Sequence, residues 1–184
     1  MPISGQGWEF YIVRETVQRR PSDGRRRTIG RYQVYRDGVA QTGSGMRGAT
    51  AEAKGPGANI PKDNGKRIEQ GRYPLWTHEP GGYATLDYSS STDPDAEPKP
   101  AIEVMDTGDR YDILIHPGQD FLASVGCINL CTSLPDASEP ITYASSRKRV
   151  IAVIANLKNY LGAQFPRSNG KEIPKAFVVI DGEP

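Results

Sequence analysis

The sequence is poor in residues that staple small proteins or hold metal clusters, with two cysteines and two histidines among 184 residues. Cys127 and Cys131 are four positions apart. They are too few for a disulfide-built scaffold and short of the four ligands that a structural zinc ion usually takes. A disulfide-rich domain and a zinc finger are therefore excluded, and the chemistry of these side chains has to be inferred locally.

Long hydrophobic runs are also missing. No apolar stretch approaches the roughly 18 residues that a membrane span requires, and residues 1–8 lack the basic and apolar regions of a secretory signal. We therefore expect a chain made in the cytoplasm as a soluble protein. Lys and Arg number 23 against 22 Asp and Glu, a net charge of +1. This balance favours neither nucleic acid nor an anionic membrane as a partner.

Charge is less even along the chain than in total. Residues 14–36 carry eight arginines against two acidic residues, and residues 93–112 carry seven acidic residues against two basic ones. Each segment is either a solvated face or a surface for a charged partner, and the sequence leaves both possibilities open.

Glycine and proline are plentiful, at 20 and 15 residues, which favours turns and excludes an all-helical bundle. The length predicts one domain, residues 1–184. Aromatic and β-branched runs predict strands, including one hairpin that turns at Asp37-Gly38. These segments are 8–13, the hairpin at 31–42, 72–76, 112–115 and 176–180. Long irregular loops are predicted at 42–70 and 89–100.

One helix is predicted near the C-terminus. Apolar residues recur at intervals of three and four from Val150 to Leu161, after Ser145 and Ser146, and Gly162 follows them. The expected fold class is therefore mainly β, with one principal C-terminal helix.

The segment most informative about chemistry runs from His116 to Asn129. A thiolate is the reactive form of cysteine, and a nearby imidazole that takes the thiol proton is its usual activator. Gly126, just before Cys127, permits a tight turn whose amides could bind an oxyanion. The alternative interpretation is a buried, inert cysteine and a hydrogen-bonded structural histidine.

The full residue pattern from His116 to Asn129 is more specific than the histidine–cysteine pair alone. His116-Pro-Gly followed by Ser124-Val-Gly126-Cys127-Ile-Asn129 resembles the signature of the L,D-transpeptidase (YkuD-like) cysteine enzymes. Residues 68–75, IEQGRYPL, are more weakly similar to the strand that precedes it, although the family's Thr-Pro is absent. The size, the missing signal and the short interval between histidine and cysteine look most like the small L,D-transpeptidase-like effectors of type VI secretion systems.

The resemblance implies a β-rich catalytic domain without metal or cofactor. Its nucleophile would be Cys127 and its general base His116, with Ser124 orienting the imidazole through a backbone carbonyl. The amides of Gly126 and Cys127 would form the oxyanion hole, and Asn129 would support the loop or contact the substrate.

Other residues are assigned less directly. Tyr73, Gln119 and Asp120 are candidate substrate contacts, whereas His78 is expected to be structural or at the surface. Cys131 either packs in the core or forms a protective disulfide with Cys127.

The implied substrate is the peptidoglycan tetrapeptide stem, cleaved between meso-diaminopimelate and the terminal D-alanine. Attack of water on the resulting thioester would give carboxypeptidase activity. Attack of a free D-amino acid would exchange the terminal residue, and attack of another stem would form a cross-link. We favour hydrolysis and exchange. Delivery to the periplasm of a rival cell would require a cognate immunity protein in the producer. The alternatives are a non-catalytic wall-binding or phage-associated module, and a different stem-peptide cysteine amidase in which Asp, Asn or Glu orients His116.

Overall fold

The computed structural model describes residues 2–79 and 81–184, which form eleven strands, one α-helix and a short 3-10 turn. In chain order the elements are β1 Trp8–Arg19, β2 Arg26–Arg36, β3 Val39–Ala40, β4 Arg47–Glu52, β5 Gly71–Thr77, β6 Tyr83–Ala84, β7 Lys99–Pro100, β8 Ile102–Val104, β9 Leu114–Pro117, β10 Ile128–Cys131, α1 Tyr143–Leu161 and β11 Lys171–Asp181. The mainly β fold class with a single helix late in the chain is confirmed.

The main sheet closes on itself. Its nine strands follow the order β1-β11-β5-β8-β9-β10-β4-β2-β3, and β1 also pairs with β2. The long β1–β2 hairpin makes this closure possible, and its register shifts between Arg14 and Thr16. Such a bulge bends a strand and increases its twist, which helps a sheet to curve round. Closure also satisfies the edges that an open sheet would leave unpaired.

The helix covers one part of the closed sheet. α1 packs on β9 and β10, and its fully buried apolar face consists of Val150, Val153, Ile154 and Leu157. Each such side chain contributes about 1.5–3 kcal/mol when buried. Gly162 follows the helix with φ 54°, the left-handed conformation that glycine adopts without strain. No helix of the described residues is long and apolar enough to cross a membrane.

The strands predicted from the sequence are present, and the hairpin turn at Asp37-Gly38 joins β2 to β3. The predicted loop at 42–70 is wrong in part, because it contains β4. The sequence of β4, RGATAE, has little β-branched or aromatic character, yet it pairs with β2 on one side and β10 on the other. Pairing with these neighbours overrides weak local propensity.

Part of the arginine-rich segment serves the core. Arg14 donates to Glu52 through Nε at 2.8 Å and Nη2 at 2.7 Å, and both side chains have no exposed surface. Arg27, also fully buried, donates to the backbone carbonyls of Phe121, Asp136 and Glu139, each at 2.9 Å. These arginines bind the hairpin to the loops beside it.

Candidate active site

The parallel pair β9–β10 brings the two predicted catalytic residues to one face. Ile128 pairs with Ile115 and Asn129 with His116, so Cys127, one residue before β10, is level with Leu114. Side chains two apart in a strand share a face, and register partners in neighbouring strands point the same way. The register therefore places Cys127 diagonally from His116, on the same face of the sheet.

Two backbone groups hold the Cys127 thiol. The sulfur accepts from the Leu114 N–H at 3.4 Å and donates to the Asp112 carbonyl, also at 3.4 Å. Cys127 is only partly buried, so a substrate has access to it. Among the described residues no hydrogen bond joins the sulfur to His116; the thiol proton is directed at Asp112 instead.

The contacts of His116 define its tautomer. Nδ1 is 2.8 Å from the Pro117 carbonyl oxygen, which can only accept, so Nδ1 carries the proton in the neutral ring. Nε2 is then the basic nitrogen. The Ser124 carbonyl was expected to orient the His116 ring. In the structure the Pro117 carbonyl makes this contact instead, because it belongs to the next residue of β9 and lies within hydrogen-bond distance of the ring.

Burial keeps the His116 imidazole and the Cys127 thiol neutral. Desolvation lowers the pKa of His116 to about 4, against the raising effect of the Pro117 hydrogen bond. Desolvation also raises the pKa of the Cys127 thiol, although the Leu114 N–H and the Arg110 charge oppose it. The resting pair is therefore a thiol beside a neutral imidazole. Its proton has to move during attack, not before it.

Cys127 lines two cavities. One, of about 610 Å³, is lined by Cys127, His116, Tyr83 and Asp112 among others. The other, of about 330 Å³, is lined by Cys127, Asp112, Lys62 and Arg110 among others. The Tyr83 ring lies 4.6 Å from the His116 ring, centroid to centroid, and forms a wall of the larger cavity, which we call the groove. The Cys127 sulfur therefore borders open space in which a ligand could bind.

The loop between the two strands, residues 118–127, is held by its own hydrogen bonds. Ser124 Oγ donates to the Cys127 carbonyl at 2.6 Å and accepts from the Gly126 N–H at 2.9 Å. Ser124 thus supports the turn and does not orient His116. The Gly126 amide, one of the two expected oxyanion donors, is therefore already bonded to Ser124 Oγ.

Arg110 supports the same turn from behind, which the sequence did not indicate. It donates to the Val125 carbonyl at 2.8 Å and to the Lys66 carbonyl at 2.7 Å. A Cβ at position 126 would lie 1.8 Å from Arg110 Nη2, and Gly126 has φ 148°. Glycine is therefore required before the nucleophile both by the backbone angle and by the guanidinium packed against it.

Asn129 supports the loop, as one of its two expected roles. It is fully buried; its Oδ1 accepts from the Ala123 N–H at 3.0 Å, and its Nδ2 is 3.4 Å from His116 Nε2. Because Oδ1 is engaged by an N–H, the amide nitrogen faces the imidazole. A donor there disfavours a second proton on the ring, which agrees with the lowered pKa of His116.

Three predicted substrate contacts are not brought to the groove. Tyr73 is 6 % exposed in the main core, and its hydroxyl donates to the Glu69 carbonyl at 2.9 Å. Gln119 and Asp120 are exposed, but neither lines the groove or the smaller cavity; the Asp120 backbone pairs with Ile141. Tyr73 faces inward because of the register of β5, which its aromatic sequence does not reveal.

His78, which was expected to be structural or at the surface, lines the groove. Its Nδ1 is 3.1 Å from Glu103 Oε2, and each of these side chains is 15 % exposed. Possible metal ligands of the two residues and of Asp112 all lie within 4.8 Å of one another. This is the one group of described residues whose side chains could together hold a metal ion.

Cys131 is a buried free thiol. It packs among Ile29, Ala51, Leu134 and Ile141, and desolvation raises its pKa to about 12. The packing alternative for Cys131 is confirmed, and the protective disulfide with Cys127 is not formed.

A larger cavity than either of the two that Cys127 lines, about 720 Å³, lies elsewhere, against strands β1, β2 and β4. It includes neither Cys127 nor His116, so it is not the candidate active site despite its size.

Comparison with known proteins finds no match: no family model, curated protein or solved structure matches the chain.

Proposed function

We propose that the protein is a cysteine enzyme of the peptidoglycan-modifying, L,D-transpeptidase-like kind. Its substrate would be the tetrapeptide stem, cleaved between the L-centre of meso-diaminopimelate and the terminal D-alanine. The observation that carries this proposal is that Cys127 and His116 line one groove, and that Cys127 also lines a second cavity. The resemblance of residues 116–129 to that family supplies the substrate.

The chemistry follows from the contacts. Cys127 Sγ attacks the carbonyl carbon of the scissile bond while its proton passes to His116 Nε2, the nitrogen left basic by the Pro117 contact. This transfer requires the 3.4 Å contact between Asn129 Nδ2 and His116 Nε2 to open. The Cys127 amide would stabilise the oxyanion. Collapse of this intermediate breaks the C–N bond, and the imidazolium returns the proton to the amine of D-alanine as it leaves. A thioester on Cys127 remains.

The second half-reaction decides the product. Water that gives its proton to His116 releases a tripeptide and restores the thiol, which is carboxypeptidase activity. The amine of a free D-amino acid in the same position restores the thiol and exchanges the terminal residue. The open groove, lined by Gly81 and Gly82 near His116, leaves room for either small acceptor, and we propose both reactions.

Charges around Cys127 support a zwitterionic substrate. The groove carries the acidic residues Glu79 and Asp112, whereas the smaller cavity is lined by two basic residues, Lys62 and Arg110, and by Asp63 and Asp112. A diaminopimelate stem presents both ammonium and carboxylate groups, and the charges of both signs around Cys127 would complement them.

The test is digestion of purified tetrapeptide muropeptides, followed by mass spectrometry. Wild type should release D-alanine, and Cys127→Ala should not, because the acyl acceptor atom is gone. Cys131→Ala is the matched control: it removes the other cysteine, which is buried away from the groove, and should retain activity. Unchanged muropeptides with wild type would refute the proposal.

The two outcomes of the thioester are separated in the same assay. Hydrolysis in ¹⁸O-labelled water places the label in the new tripeptide carboxylate, whereas added D-methionine yields an exchanged tetrapeptide. Release of D-alanine by both wild type and Cys127→Ala would show that the activity does not belong to this thiol.

A further inference from the structure

A second constellation lies on the groove wall. The register of β5, β8 and β9 pairs Trp76 with Glu103 and Glu103 with Leu114. His78 directly follows β5 and Asp112 lies two residues before β9, so the sheet brings residues from three segments close together. Their candidate ligand atoms lie within 4.8 Å of one another.

The charges of this constellation are not balanced by basic side chains. Glu103 forms its one ion pair among the described residues with His78, and Asp112 forms none with a lysine or arginine there. The carboxylates of the partly buried Glu103 and the exposed Asp112 lie close together, where like charges repel. A divalent cation would neutralise both.

The donor atoms define the kind of cation. One imidazole nitrogen and two carboxylate oxygens suit zinc and related first-row transition metals, whereas Mg²⁺ and Ca²⁺ favour all-oxygen sets. We propose that His78, Glu103 and Asp112 form a binding site for a divalent transition-metal ion, for which Zn²⁺ is the probe. Three protein ligands leave a coordination position for water or for a ligand in the groove.

The site would couple metal binding to access to the nucleophile. His78 and Asp112 line the groove together with Cys127 and His116, and the Asp112 carbonyl accepts the Cys127 thiol proton. An ion bound here narrows the groove and restrains residue 112. We therefore expect bound Zn²⁺ to inhibit chemistry at Cys127; this second statement rests on the function proposed above, whereas the binding site does not.

The binding experiment titrates the full chain with Zn²⁺ near neutral pH against a competing chromogenic chelator. Wild type should bind one ion with a Kd of about 10 µM or tighter, and His78→Ala and Glu103→Gln should each raise the Kd at least about tenfold. Glu79→Gln is the matched control, since it removes a groove carboxylate outside the three ligands. Its Kd should equal that of wild type.

Cys127→Ala decides whether the thiol is the true ligand. The proposal requires unchanged binding in this variant, and Co²⁺ bound to wild type should show no thiolate-to-cobalt charge-transfer band. Because this spectrum is recorded on wild type, it tests the same point even where a variant does not fold. The site is overturned by a wild-type Kd weaker than about 1 mM, by wild-type affinity in His78→Ala, or by loss of binding in Cys127→Ala. If wild type binds Zn²⁺ but does not cleave muropeptides, the metal site stands and the proposed enzymatic function is refuted.

Discussion

The buried neutral imidazole of His116 predicts a specific loss of stability in acid. The unfolded chain titrates this side chain at its ordinary pKa of 6.5, whereas burial lowers the folded value to about 4. Above pH 6.5 neither state binds the proton. Between the two values the unfolded state binds it and the folded state does not, so the free energy of unfolding falls as the pH falls. Below about pH 4 the effect levels off.

The magnitude follows from the two pKa values. A separation of about 2.5 pH units corresponds to about 3.4 kcal/mol in total. The loss should reach about 1.4 kcal/mol at about pH 5.5 and about 2.6 kcal/mol at about pH 4.5. Relative to a typical stability of about 5–15 kcal/mol, this single side chain would make the protein measurably acid-sensitive.

The comparison that isolates His116 is wild type against His116→Gln in urea unfolding across this pH range. The variant lacks the titrating ring but keeps a side-chain N–H for the Pro117 carbonyl. All other titrating groups are present in both proteins, so their contributions cancel in the difference. The difference in unfolding free energy should shrink by about 2.6 kcal/mol between about pH 7.5 and about pH 4.5. A difference that stays constant with pH would refute the buried neutral imidazole.

Three further predictions concern the surroundings of the site. Gly126→Ala should lose about 2 kcal/mol more stability in urea than Gly65→Ala, because both glycines have positive φ but only position 126 meets Arg110; equal losses would contradict the clash. Arg14→Met should cost about 3–5 kcal/mol by leaving Glu52 buried and unpaired, and Arg14→Met/Glu52→Met should cost less; a double variant less stable than the single would contradict this. A disulfide reagent near neutral pH should modify one thiol in native wild type and none in native Cys127→Ala, because burial raises the pKa of Cys131 to about 12. Two reactive thiols in native wild type would contradict the burial of Cys131.

The sequence predicts what is encoded locally. The turn at Ser124–Gly126 and the helix with its terminal glycine depend on neighbouring residues, and they are found. The strand predicted at 112–115 is found two residues later, at Leu114–Pro117, so that His116 belongs to the strand. The mainly β fold class follows from the same local patterns. The closed order of the sheet does not, because it depends on pairings such as β10 with β4, whose residues are about eighty positions apart in the chain.

The site could be predicted only in part for the same reason. Cys127 and His116 belong to one short segment, so their pattern is visible in sequence. The support from Arg110 and the approach of His78 to Glu103 and Asp112 depend on register between distant strands. Tyr73 shows the opposite error: an aromatic strand residue belongs to the core or to a cleft according to the face it occupies, and a shift of one residue exchanges the two.

The neutral pair at the groove also constrains how the enzyme would react. A thiol with a raised pKa beside an imidazole with a lowered one does not ionise spontaneously, and its proton is bonded to the Asp112 carbonyl. Substrate binding has to displace that bond and direct the proton to His116 Nε2 as the oxyanion forms. Small alkylating reagents, which supply no such contacts, should therefore react with Cys127 more slowly than with free cysteine at the same pH. Faster alkylation than free cysteine would indicate a resting thiolate, and would refute proton transfer on attack.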